Sequence, residues 1–73
     1  MKLKKIKKIL PEWENIRVWG EDEDRPLYKG EVEYLPKHLY DLKMIEGPDG
    51  GYFDYRYGCV DCENHVAVFV KEN

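Results

Sequence analysis

Apolar residues near the start of the chain recur at three- and four-residue spacing. Leu3, Ile6, Ile9, Leu10 and Trp13 fall on one face of a helical wheel, with lysines on the other. Pro11 limits how far that helix can run. The pattern predicts a short amphipathic helix packed on a sheet; a basic helix lying on a membrane surface is disfavoured at so short a length. Residues 15–19 then alternate, Ile16 and Val18 against Arg17 and Trp19, as a half-buried strand does. Residues 20–26, polar and bounded by Gly20 and Pro26, read as a turn into a second alternating run over 27–34, in which Tyr28, Gly30, Val32 and Tyr34 share a face. The two runs predict a β-hairpin.

The period changes at Leu35. Leu35, Leu39 and Leu42 stand at helical spacing, with Pro36 where a first turn tolerates it, so a helical turn or two is expected to cross the sheet. Residues 43–46 form a short strand candidate, ended by the strongest turn signal in the chain, Gly47-Pro48-Asp49-Gly50-Gly51. Alternation resumes over 52–57, with Phe53, Tyr55 and Tyr57 on one side and Tyr52, Asp54 and Arg56 on the other. The final run, 65–70, is the most strand-like, with valine at every second place. The order helix, hairpin, short helix, hairpin predicts one α+β domain over residues 1–73. Its sheet is expected to be four-stranded and mainly antiparallel, with an N-terminal helix and a short central helix on one face.

At 73 residues a chain buries only about 60% of its unfolded surface, so a deep catalytic cleft would compete with the core. The formal net charge of −3 hides an asymmetry. Lys2, Lys4, Lys5, Lys7 and Lys8 are five of the twelve basic residues, leaving seven against fifteen acidic residues, or −8, from Ile9 onward. An acidic body with a short basic arm disfavours nucleic acid as the main partner, because that contact is driven by cations on phosphates. The apolar positions of the first ten residues are interrupted by lysines, so no signal-peptide or membrane-length run stands there. A soluble, cytoplasmic protein is expected, and two cysteines do not suggest a disulfide framework.

The chemistry most worth testing is Cys59-Val60-Asp61-Cys62 with His65 beyond it. Two thiolates at this spacing can hold one side of a zinc ion, and His65 could add a third ligand. A fourth would have to come from His38 across the fold, from a carboxylate such as Asp61, or from a second chain. The favoured reading keeps both cysteines reduced, flanking a turn, with no cofactor. Glu21, Asp22, Glu23 and Asp24 lie in a polar turn, where solvation leaves ordinary acidity and suits an interaction surface better than acid-base work. Serine and threonine are absent from the chain, which removes the usual hydroxyl nucleophiles. The aromatic set Tyr52, Phe53, Tyr55 and Tyr57 reads first as core packing. Its second reading is a protein-binding patch that includes Asp54 and Arg56, and its third is a base-stacking platform.

The short N-terminal helix, Ile16-Arg17-Val18-Trp19, Leu27-Tyr28-Lys29-Gly30-Glu31-Val32, Leu35-Pro36 with Leu39 and Leu42, and Val66-Ala67-Val68-Phe69-Val70 together resemble small uncharacterised accessory proteins of Gram-positive phages and mobile elements. The pattern spans most of the chain and its motifs are structural; the cysteine loop is not part of it. The resemblance implies a phage or prophage accessory protein, a class that includes inhibitors of host defence such as anti-CRISPR proteins. Such proteins are often small, acidic and catalytically inert. The expectation is therefore a non-enzymatic protein that binds a host or phage protein through Glu21, Asp22, Glu23, Asp24, Tyr52, Asp54 and Arg56. Its sharpest form is inhibition of a nucleic-acid-handling complex, whose basic channel an acidic surface would cover. The alternative is a small zinc- or nucleic-acid-binding module using Cys59, Cys62 and His65 or the basic arm.

Overall fold

A computed structural model describes residues 1–58, 60 and 63–72. Leu3 and Ile6 are fully buried and Leu10 nearly so, as their spacing predicts. The helix they share is short: a 3₁₀ turn, Leu3–Lys5, runs into a single α-turn, α1 (Ile6–Ile9). Leu10 precedes Pro11 and is forced into the extended region, which stops the helix. Trp13 therefore never joins the wheel. It is 69% exposed and Ile9 48%, against the expectation that both face the core. The basic arm is also part of the fold. Met44 donates its N–H to the Met1 carbonyl, Leu3 to that of Leu42 and Lys4 to that of Tyr40.

β1 (Asn15–Trp19) and β2 (Tyr28–Glu31) form the expected antiparallel hairpin, with Ile16 opposite Gly30 and Val18 opposite Tyr28. The second strand ends sooner than its alternation suggests. Val32 and Glu33 donate to the carbonyls of Glu14 and Glu12, and the chain turns through a 3₁₀ segment, Val32–Tyr34, which buries Val32 and leaves Tyr34 out. The central helix is likewise only one 3₁₀ turn, Lys37–Leu39. Pro36 drives Leu35 out of helical geometry, so Leu35 and Leu39 reach the core from separate segments.

β3 (Lys43–Ile45), β4 (Asp54–Arg56) and β5 (His65–Lys71) complete a five-stranded sheet of order β2-β1-β5-β3, with β4 also on β5. The sheet is mixed, where four mainly antiparallel strands were expected. β5 lies parallel to β1, Ile16 beside Val66 and Val18 beside Val68, and antiparallel to β3 and β4. Since β1 occupies one edge of β5, β3 and β4 follow each other along the other edge, and residues 46–53 loop out between them. The predicted turn closes that excursion: Gly47 donates to the Gly51 carbonyl, Gly50 to that of Gly47, and Gly50 takes a φ of 90° that side chains resist.

One face of the sheet carries Ile16, Val18, Met44, Val66, Val68 and Val70, all buried against Leu3, Ile6, Leu10, Val32, Leu35 and Leu39. The registers place Arg17, Trp19, Ile45, Asp54, Arg56, His65, Ala67 and Phe69 on the opposite face. No helix among the described residues covers it.

Candidate functional site in the open sheet face

That face forms a groove of about 520 Å³, within the size range of ligand sites, in which Ala67 and His65 are buried and Arg17, Trp19 and Phe69 partly exposed. Its floor is Trp19, Ala67 and Phe69, supplied by β1 and β5 side by side. Two loops border it: beyond Trp19, at the end, the chain leaves β1 through Gly20, Glu21 and Glu23, and across β5 the excursion between β3 and β4 brings in Pro48. Gly47 makes this approach possible, because a Cβ there would lie 2.6 Å from Phe69 Cε2. Arg17, Arg56 and His65 line the end nearest the start of β5.

The charged groups around the floor are not equivalent. Arg56 is bound to Asp54, its Nε donating at 2.8 Å and its Nη2 lying 2.7 Å from the same carboxylate oxygen. Arg17 makes no ion pair among the described residues. The His65 Nδ1–H donates to the Glu63 carbonyl at 2.8 Å; a carbonyl can only accept, so in the neutral ring Nε2 is left as acceptor. At the other end the Glu21 N–H donates to Glu72 Oε2 at 2.8 Å, which anchors the acidic turn beside the end of β5. Asp22 Oδ1 accepts the Asp24 N–H at 2.8 Å, so the turn is braced from within and its carboxylates stay exposed.

The sites expected from sequence are thus partly joined. Glu21, Glu23, Arg56 and His65 share the groove, and Asp54 holds Arg56 in place. Asp22, Asp24 and Tyr52 lie outside its lining. Core packing fails for most of the aromatic run: Phe53 packs against the core, but Tyr52, Tyr55 and Tyr57 are 39%, 56% and 51% exposed. Among the described residues β4 is a short strand paired with β5 alone, and the Tyr55 and Tyr57 rings lie against each other, 5.9 Å between centroids, at the surface. Tyr57 instead donates to Glu14 Oε1 at 2.8 Å, a bond that, with slight burial and the Glu14 charge, raises its phenol above the ordinary value of 10.0.

Cys59, Asp61 and Cys62 lie outside the described residues. Among the described residues no group of three potential ligands gathers around one point. His38 does not approach His65. It lines a separate depression with Lys71 and Glu72, at the far end of the strand that His65 begins, and six residues of strand span about 20 Å. The groove residues that single-segment reading missed are Arg17, Trp19, Gly20, Pro48, Ala67 and Phe69. Their signal was present: in 65–70 the positions between the valines are themselves apolar, so both faces of that strand have something to bury.

No family model, curated protein or solved structure matches the chain. No helix among the described residues is long and apolar enough to cross a membrane.

Proposed function

We propose that the chain is a non-enzymatic binding module that receives a segment of a partner protein on its open sheet face. The observation that carries this reading is the groove itself, an aromatic and apolar floor between two loops with opposite charges at its ends. Aromatic floors of this kind supply contact area at small entropic cost, and charged rims set orientation and association rate. Catalysis is supported less, since Asp54, beside the groove, is held by Arg56 and the chain has no hydroxyl nucleophile besides tyrosine. A phage accessory role against a host nucleic-acid-handling complex is the form in which the acidic turn beside the groove finds a use.

The nucleic-acid alternative draws little support from the basic arm. Lys2 lies 3.6 Å from Asp41, and Lys7 donates to the Glu33 carbonyl and stands over the Tyr40 ring. Affinity capture from a bacterial lysate tests the proposal, with the wild-type chain beside the groove variant Phe69→Ala. A protein retained by the first and lost by the second is expected. RNA or DNA recovered without any protein would overturn it.

A further inference from the structure

The two ends of the groove differ in a way that specifies its occupant. At one end stands Arg17, a cation without an ion pair among the described residues, while its neighbour Arg56 is already matched by Asp54. At the other end stand Glu21 and Glu23, the first held beside the end of β5 by its N–H bond to Glu72. Trp19 and Phe69 lie between them, since they are paired in register one strand repeat beyond Arg17. β1 carries the chain about 7 Å from Arg17 to Trp19 and the chain then leaves the strand through Gly20, so the charged ends are at most about 13 Å apart, the reach of four extended positions.

An extended peptide has the same repeat. Its residues i, i+2 and i+4 face one way and span about 13 Å, while i+1 and i+3 face the other. We infer that the groove binds an extended protein segment with an acidic and a basic residue no more than four positions apart and an apolar residue between them. The acid lies on Arg17, the apolar side chain on Trp19 and Phe69, and the base between Glu21 and Glu23. This inference rests on the binding-module reading and adds the chemistry of the partner.

The test uses the full chain, immobilised, and a display library of random nonapeptides as the probe. Wild-type protein is expected to enrich sequences in which opposite charges stand no more than four positions apart around an apolar residue. The best peptide, labelled and titrated by fluorescence polarisation, should bind Arg17→Glu about tenfold more weakly, and changing its acid to lysine should restore binding to that variant. A double variant, Glu21→Lys with Glu23→Lys, should show the same exchange at the basic residue, so the result does not depend on one variant folding. Enrichment of apolar peptides without the charge pair, or with indifference to both charge reversals, overturns the inference while leaving the groove as a binding site. No enrichment over Phe69→Ala overturns the binding-module reading as well. A stable dimer in sedimentation that is lost on Arg17→Glu would put a second copy in the groove and overturn the peptide.

Discussion

Replacing Ile6 with alanine should cost far more than the same change at Ile9, although both stand on the apolar side of the same helical wheel. Ile6 is fully buried, whereas Ile9 is 48% exposed. The substitution removes three carbons; at about 0.8 kcal/mol for each buried methylene this is about 2.4 kcal/mol at Ile6. The hole left beneath a close-packed sheet adds to it and brings the loss to about 3–4 kcal/mol. At Ile9 about half the transfer value applies, no enclosed cavity forms, and alanine's better helix propensity returns a few tenths, so the loss stays below about 1 kcal/mol. A domain of this length has a total stability of about 4–11 kcal/mol. The Ile6 variant should therefore melt roughly 12–30 °C lower, and the Ile9 variant within about 8 °C of wild type. Thermal and urea unfolding followed by circular dichroism would measure both. Equal losses at the two sites, or a loss under about 1 kcal/mol at Ile6, would refute the packing of the N-terminal turn on the sheet.

Gly47→Ala should destabilise the protein by about 1–2 kcal/mol and displace the Phe69 ring, because its Cβ would sit 2.6 Å from that ring; an unchanged melt and unshifted Phe69 ring resonances would contradict the close approach. The Tyr57 phenol is held above its ordinary value first by its bond to Glu14. The folded state therefore keeps a proton that the unfolded chain releases, so this contribution is complete below about pH 10 and is lost as pH rises through the folded value. Tyr57→Phe should make the fall in stability above pH 10 shallower, and identical slopes in urea titrations at pH 9 to 11.5 would count against the bond. Purified protein should contain no stoichiometric zinc and melt unchanged with a chelator; one zinc per chain or per dimer with a lowered melt would instead establish Cys59, Cys62 and His65 as ligands.

Local signals in this chain were legible and long-range ones were not. Alternation located β1, β4 and β5, and the glycine-rich turn fell where the excursion closes. The spacing of Leu3, Ile6 and Leu10 found the buried side of the first helix but carried the reading on to Ile9 and Trp13, past the point where Pro11 ends it. Pro36 divided the central leucines in the same way. The order of strands could not be read from segments taken singly, because the parallel pairing of β1 with β5 joins distant parts of the chain. The groove shares that limit. Glu21, Glu23 and Arg56 were recognisable as charged positions, but only the insertion of β5 between β1 and β4 brings them around one floor.

That insertion also governs the order in which the chain can assemble. β5 is the last strand and the one that β1, β3 and β4 all require, and its pairing with β1 closes Ile16 onto Val66, fifty positions away. Of the described strand pairings only the β1–β2 hairpin can form before residues 65–71 emerge; those of β1, β3 and β4 with β5 all wait for them. A ribosome adding about 5–20 residues per second exposes the apolar faces of β1 and β3 for seconds before their common partner emerges. Non-local pairing of this kind also slows folding once synthesis is complete. A truncation before residue 65 would remove nine residues of this sequence but the shared partner of three strands. Expression should accordingly be far more sensitive to stop codons or bulky fusions near the C-terminus than to changes of similar size in the acidic turn.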